Sequence, residues 1–329
     1  MSKETRSITA PPATERRFIN GRNGGKRREV FVPNAAMREV HAQVIRETRL
    51  QLGIPSHNFG GVRGGSAVRC AMQHWGNHYV YKLDLYNAYP SVRPEWLYPV
   101  LAEVKSELWV DQVGMEDFVR RYLATPRGRG LMTGTPAATD LFNQVAARKL
   151  DEALIELAER WSLTYTRYID DLVFSSWEPI GRRKREAIRA VIKRSGFRLN
   201  YKKTGYYDVA RRPVMITGLR LGAGPSAGEA SDDINRAFAI YLPRKWLQGL
   251  EGSMYCLVNG KSNRVGKAIE PGVVEGRMGA LREHLALGGF PFDRQAALVW
   301  RKYTYVKPIT RPKVPLSPME EWLQRLFRG

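Results

Sequence analysis

Cysteine is scarce: Cys70 and Cys256 are the only two in 329 residues. They cannot build a disulfide framework or a four-cysteine zinc site, and a reducing compartment fits, so the expected location is cytoplasmic. No apolar run approaches the ~20 residues needed to cross a bilayer. The stretch Met1 to Arg17 holds no apolar core of the signal-peptide kind, and no membrane partner is expected. Acidic residues are the other shortage. There are 32 Asp and Glu against 53 Lys and Arg, a net charge of +21. A field of that sign attracts polyanions and steers them in, which makes nucleic acid the expected partner. Fifteen Tyr and eight Trp add stacking surfaces, although most such rings belong in cores.

The chain reads as α+β. Residues 1–27 are polar, basic and rich in Gly and Pro, and are expected to be a mobile or partner-ordered arm. Glu29 to Pro33 reads as a short strand, and residues 34–52 place Val40, Val44, Ile45 and Leu50 at helical spacing. A glycine-rich loop, Phe59 to Ser66, precedes a short helix through Ala71 and His74. A strand over 78–83 ends at Asp84. Helical segments are expected over 92–124 and 137–161, and then a hairpin with strands 164–168 and 172–176. A basic helix over 180–195, a short strand over 196–200 and a further strand over 214–221 follow. The segment 222–230 is small and flexible, and beyond it the chain reads as helical, from an N-cap at Ser231 through 249, then 271–287 and 293–305. The expected division is therefore 1–27 (arm), 28–225 (mixed strands and helices) and 226–329 (helical lobe and basic tail). No internal repeat is present.

The chemistry lies in three acids. Tyr168-Ile169-Asp170-Asp171 joins two apolar strands. Adjacent carboxylates in a tight turn repel each other and lose solvation if half-buried, but Asp is common in turns for its own hydrogen-bonding reasons, so the pair alone means little. Asp84 supplies the context, because it ends an apolar strand far upstream. If that strand lies beside the hairpin, three carboxylates meet at one rim of a sheet, as two Mg²⁺ ions ~3.5–4 Å apart require. Oxygen-only ligands suit Mg²⁺, with Mn²⁺ as the alternative ion.

At this point a family resemblance enters. Thr164 to Leu172 closely resembles the YxDD motif of reverse transcriptases in its bacterial retron version, and Leu83-Asp84-Leu85-Tyr86-Asn87-Ala88-Tyr89-Pro90 looks like the first catalytic motif. Gly134-Thr135-Pro136-Ala137 followed by Asn143, Gly196 to Thr204 with Lys203, Ile216-Thr217-Gly218-Leu219, and Ala71-Met72-Gln73-His74 resemble four further blocks, in family order. The resemblance implies a right-hand polymerase with fingers, a palm whose antiparallel sheet carries the YxDD hairpin, and a helical thumb. It implies an RNA-directed DNA polymerase that copies a structured noncoding RNA template into cDNA from dNTPs, with an effector protein as a further partner in a defence system.

It also implies roles. Asp84, Asp170 and Asp171 are catalytic and, with the backbone of Leu85, hold the two metal ions. Arg28, Tyr89, Gly134 and Lys203 contact the nucleotide: Arg28 clamps the triphosphate, Tyr89 excludes a 2′-hydroxyl, Gly134 permits close approach and Lys203 serves the leaving pyrophosphate. Tyr168, Asn143, His74, Thr217 and Gly218 belong to the RNA and primer surface. Arg244, Lys245, Arg277, Arg282, Arg294, Arg301 and Lys302 on the thumb helices are expected to include some that grip phosphates.

Four positions depart from the family pattern. Met132-Thr133 stands where Pro-Gln is usual, Cys70 where Asn is, and Ile169 where retron enzymes carry Ala. From the residues alone, duller readings remain: a core aromatic for Tyr89, a plain turn glycine for Gly134, a solvated lysine for Lys203. Cys70, His74 and His78 are spaced four apart but lack a fourth ligand for zinc. Competing functions are an intron-type reverse transcriptase or maturase, and an RNA-binding scaffold with a vestigial polymerase centre.

Overall fold

The computed structural model describes residues 12–20, 27–222, 239–263, 266–289 and 294–304. It divides into two units, residues 1–66 with 79–206, and residues 67–78 with 207–329. In chain order the elements up to the hairpin are β1 (Thr14–Ile19), β2 (Arg28–Pro33), α1 (Ala35–Leu52), α2 (Ala67–Met72), β3 (Tyr79–Asp84), α3 (Ala88–Ser91), α4 (Pro94–Ala102), α5 (Gln112–Phe118), α6 (Pro136–Ala146), α7 (Glu152–Arg160) and β4 (Thr164–Tyr168). Then come β5 (Asp171–Ser176), α8 (Arg182–Arg194), β6 (Gly205–Asp208), β7 (Val214–Ile216), β8 (Leu219–Gly222) and β9 (Ala239–Tyr241). The last three helices are α9 (Arg244–Val258), α10 (Pro271–His284) and α11 (Arg294–Thr304).

The first unit is built on an antiparallel sheet of order β4-β5-β3-β6, and β6 carries the chain out of the unit. Its central strands are buried on nearly every position because helices cover the sheet: Val80, Tyr81 and Leu83 of β3, and Leu172, Val173 and Phe174 of β5, are all at most 3% exposed. Helix α1 is set by a local cap. The Asn34 side chain accepts from the Met37 N–H at 2.9 Å, and Gly53 ends the helix at φ 71 with its N–H on the Arg49 carbonyl. Pro136 opens α6 at its first helical position, where a missing N–H costs nothing. Leu141, Phe142, Val145 and Ala146 then bury against the core shared with Leu97, Leu101 and Leu123.

Several boundaries differ from expectation for stateable reasons. Residues 14–19, read as part of a mobile arm, form β1 and pair with β2 in full register from Thr14↔Pro33 to Ile19↔Arg28. Five of the six β1 residues are exposed, so no buried face marks this strand in the sequence. Residues 92–124 are not one helical run. Asp111 caps a fresh start at Gly114 N–H, 2.6 Å away, after the loop carrying the Ser106↔Trp109 bridge. Residues 136–160 do run on as helix, through a π-helical turn at Ala147–Asp151. Residues 196–200 make only an isolated Leu85↔Leu199 bridge, and the strand appears later, at β6. Of the expected linker 222–230, Gly222 ends β8, and 223–230, Ser231 and the tail 306–329 lie outside the described residues.

The second unit holds α2, the sheet β7-β8-β9 and helices α9 to α11. The division after Tyr206, with Ala67–His78 assigned to the second unit, differs from the single boundary expected near 225. No helix among the described residues is long and apolar enough to cross a membrane.

Candidate active site

Register brings the acids together. β3 and β5 pair antiparallel with Asp84 opposite Asp171, and β4 and β5 pair with Tyr168 opposite Asp171, leaving Ile169 and Asp170 as the two-residue turn. Directly opposed residues of an antiparallel pair project on the same face. The Leu85 N–H donates to the Asp170 carbonyl at 2.9 Å, fixing the third acid to the same rim. Residues 198–200 run beside 84–86, with Tyr86 N–H on the Arg198 carbonyl at 2.7 Å and Asn200 N–H on the Asp84 carbonyl at 2.8 Å. That return delivers two donors to the nearly buried Asp84 carboxylate: Asn200 Nδ2 at 2.9 Å and Lys203 Nζ at 2.7 Å. Lys82 Nζ stands 3.6 Å from Asp171 Oδ1.

The electrostatics follow. Burial pushes the Asp170 carboxyl up, and the charges of Asp171 and Asp84 push it further. Burial also raises Asp171, against the pull of Lys82. Lys203 is held above the usual lysine range, first by its hydrogen bond to Asp84, and so stays protonated. Among the described residues no three His, Cys, Asp or Glu side chains form a ready-made metal cage. For zinc at Cys70, His74 and His78 the helix is too short, since α2 ends at Met72. The acidic rim nevertheless suits a hard divalent cation. Its ligand atoms are oxygens, with repulsion left over for a cation to relieve, and such ions are held by a few carboxylates with water and substrate phosphates completing the shell.

The hairpin turn is strained. Ile169 has φ 58, an outlier for a β-branched residue, at a position where a two-residue hairpin favours glycine. What holds it is a buried polar network that the sequence reading missed. The Arg167 guanidinium is fully buried and forks onto Asp151, with Nε at 2.9 Å from both oxygens and Nη2 at 2.8 Å from Oδ2. Its Nη1 donates to Asn143 Oδ1 at 2.7 Å and to the Ile169 carbonyl at 3.2 Å. Tyr165 donates its hydroxyl to Asp151 at 2.8 Å, and Asn143 donates to the Gly60 carbonyl at 2.9 Å. The sequence signal was an arginine on an otherwise core-facing strand and an aspartate inside a helical run.

The glycine loop packs on that same turn. A Cβ on Gly60 would lie 2.6 Å from Ile169 N and 2.9 Å from Tyr168 C, backbone atoms that have no room to yield. A Gly60→Ala variant is expected to lose about 1–3 kcal/mol, the usual cost of overpacking, in chemical denaturation, and to extend primers more slowly. Gly181→Ala is the control, because nothing lies within 4 Å of a Cβ there. Equal midpoints for the two variants would remove this contact from the account.

The other expected residues are placed as follows. Tyr89 is half-buried, tilted against Phe142 with centroids 5.4 Å apart, and its hydroxyl pairs with Thr139 Oγ1 at 2.8 Å. Gly134 has φ 96, and a Cβ there would meet the Phe31 carbonyl at 3.2 Å. The β2 strand carrying the exposed Arg28 docks on this turn through Phe31 N–H to the Thr133 carbonyl at 2.8 Å. Asn143 is buried and faces Arg167 and Gly60 rather than solvent. Tyr168, half-buried, is the β4 partner of Asp171. His74, Thr217 and Gly218 belong to the second unit. Burial lowers His74 to about 3, so its ring is neutral. Thr217 donates to the Ala67 carbonyl at 2.7 Å and Gly218 has φ 95. In that unit Arg244, Arg301 and Lys302 line an 860 Å³ groove with Leu247 and Leu298.

An antiparallel sheet under helices, with acids from two strands and a turn on its rim, is an α+β polymerase fold. The chain belongs to the reverse transcriptase (RNA-dependent DNA polymerase) family, whose model matches residues 19–221. It is similar to the retron Mx162 reverse transcriptase of Myxococcus xanthus, 28% identical over 274 residues, 75% of this chain and 53% of that protein. It is also similar to the retron Mx65 reverse transcriptase of the same organism, 32% identical over 216 residues, 60% of this chain and 50% of that protein. These relatives bear out the retron-type resemblance of the motifs, and the chain spans about half their length. Among solved structures, apo telomerase from Candida tropicalis aligns over 64% of this chain and 47% of that one, at 12% identity and TM-score 0.46.

Proposed function

We propose that this protein is an RNA-directed DNA polymerase that copies a structured noncoding RNA into cDNA, in a retron or related anti-phage defence system. The observation that carries the reading is the pairing of Asp84 with Asp171 across β3 and β5, beside the Asp170 turn. Asp84, Asp170 and Asp171, with the Leu85 backbone carbonyl, are the groups that would hold two Mg²⁺ ions, or Mn²⁺. When bound, these supply Lewis-acid activation of the primer 3′-hydroxyl and charge neutralisation on the triphosphate.

The chain's own residues do the rest. The acids fix where cationic charge collects on the rim. Lys203, kept protonated beside Asp84, is the local proton source for a leaving pyrophosphate, provided it releases the carboxylate when substrate arrives. Tyr89 presents its ring face to the sugar, its hydroxyl restrained by Thr139. Arg28, on the strand docked beside Gly134, offers a planar fork for triphosphate oxygens. Tyr168 in the first unit and Thr217 and Gly218 in the second are assigned to RNA or primer contact, whereas Asn143 and His74, both buried, serve it only through the backbone they support. An effector protein is a further proposed partner.

The test is primer extension on an RNA template with dNTPs and Mg²⁺, alongside sequencing of RNA and attached DNA recovered with the protein from its host. Extension by the wild type and none by Asp84→Asn is expected. Full biological effect from an Asp170→Asn/Asp171→Asn protein would favour the scaffold reading instead. A Tyr89→Ala variant is expected to accept ribonucleotides roughly 10- to 100-fold better relative to deoxyribonucleotides, the range one steric contact commands. Unchanged selectivity would return Tyr89 to a core aromatic.

A further inference from the structure

Helix α8 carries a charge pattern that its own stability does not explain. Its 13 residues, RRKREAIRAVIKR, hold seven Arg and Lys and one acid. The first turn is Arg182, Arg183, Lys184 and Arg185 with no acid and no side-chain cap, although cations are disfavoured at a helix N-terminus. Arg185, Arg189 and Lys193 follow one another at i, i+4 spacing, which places like charges side by side.

Only part of this charge is used within the molecule. Ile188, Val191 and Ile192 face the core. Arg185 lies over the Tyr206 ring at 4.2 Å and Lys184 over Trp161 at 6.0 Å. Arg182 pairs with Glu186, the helix's one acid, at 2.7 Å. Arg183, Lys193 and Arg194 are exposed and form no ion pair among the described residues. On the neighbouring helix α7, Glu152, Glu156 and Glu159 are exposed, with Glu156 tied to Arg160 at 2.6 Å.

The face has a direction. β5 leaves the catalytic turn at Asp171 and ends at Ser176; α8 then returns, and its C-terminal end leads through Phe197 to Arg198, whose carbonyl binds Tyr86 N–H at the rim. Cations therefore stand at both ends of the exposed face, with Arg198, Arg194 and Lys193 toward the rim and Arg183 at the far end, and Ala187 and Ala190 between them. The eleven-residue step from Arg183 to Arg194 covers about 16 Å at ~1.5 Å per residue.

We infer that the exposed face of α8 is a docking surface for a double-stranded stem of the RNA partner, separate from the primer–template seat. The inference rests on the RNA-copying reading above for the identity of its partner. The surface offers only cations, alanine and one neutralised glutamate, with no aromatic side chain anywhere on the helix. It lacks the stacking platforms by which splayed single strands are held. What it offers is a line of phosphate contacts, which is how duplex RNA is recognised by shape and backbone. A phosphate row along this face also supplies the anionic charge missing from the first turn.

The test uses the full chain and a synthetic RNA hairpin with a 16-base-pair stem, at several salt concentrations. In the variant Arg183→Glu/Lys193→Glu/Arg194→Glu, stem affinity is expected to fall tenfold or more near 0.1 M salt. The slope of log K against log salt is expected to be shallower by roughly two to three, as for three lost phosphate contacts. Extension of a short annealed primer–template lacking the stem should stay at the wild-type rate. A matching Gln triple variant and a thermal melt separate contact loss from unfolding. Unchanged stem affinity overturns the inference. So does an equal loss of affinity for stem and for a single-stranded RNA of the same length, which would make the face a general polyanion sink. Absent extension by the wild type would instead overturn the polymerase reading, with the stem measurement still deciding this one.

Discussion

Replacing Asp170 with asparagine should abolish primer extension and, in metal-free buffer, raise the melting temperature. The two effects have one cause. Asp170 is pushed up by burial, then by Asp171 and Asp84, so its ionised form is less welcome in the folded chain than in the unfolded one. For a carboxylate shifted upward, the penalty on folding is absent below the ordinary aspartate range. It grows as pH rises from the ordinary aspartate range to the raised value, and it is fully present above that value. An isosteric amide removes that repulsion. It also removes a carboxylate from the set proposed to hold the ions, a loss of several kcal/mol of transition-state stabilisation, or about a thousandfold or more in rate. Adding Mg²⁺ should raise the wild-type melting temperature more than the variant's, and chelation should reverse it. Wild-type extension by the variant would sink the catalytic assignment. A melting temperature at or below wild type in chelator at pH 7, with a normal one at pH 4, would sink the electrostatic account alone.

How much of this was legible depended on whether a feature repeats locally. β3 and β5 were readable within a residue or so because their buried positions are mostly apolar and each has an acid at the end nearest the rim, and β4 was readable as the strand that completes the hairpin. α1 was readable from the helical spacing of Val40, Val44 and Ile45, and α6 as the start of the helical segment expected from 137. The positions of Asp170 and Asp171 followed from the hairpin, but their pairing with Asp84 needed strand order, which a family resemblance supplied and periodicity did not. β1 was missed because an exposed edge hairpin has no face to bury. Residues 196–200 were misread because Phe197 looks like a strand residue, whereas it packs edge-on against Trp96 with centroids 5.2 Å apart. The chain then turns Asn200 and Lys203 onto Asp84. Partners such as Asn200, Asp151 and Gly60 lie 16 to 116 residues from what they touch; nothing local announces them.

Arg167 is where that long-range design should show most plainly. Arg167→Met leaves Asp151 buried, 2% exposed, with its ion-pair partner gone and Tyr165 as its remaining side-chain donor. Stranding one member of a buried pair costs about 3–5 kcal/mol, enough to unfold a marginal domain. Asp151→Leu should cost about the same, because it strands the guanidinium. The double variant Arg167→Met/Asp151→Leu should recover most of the loss, since apolar residues replace a buried pair at little net cost, and the non-additivity measures the coupling. Catalysis should not recover with it. Arg167 also holds the Ile169 carbonyl in its left-handed turn, and neither replacement donates there. The turn is then free to relax toward an ordinary hairpin, and Asp170, the next residue, moves with it. We therefore expect a stable double variant whose kcat stays down by about a hundredfold, the scale on which an ångström of misplacement acts, with KM for dNTP little changed. Arg167→Lys, which keeps the charge but not the planar fork, should fall between. Wild-type kcat in the double variant would reduce Arg167 to a packing role and leave the strained turn held by Gly60 and the Leu85 N–H alone.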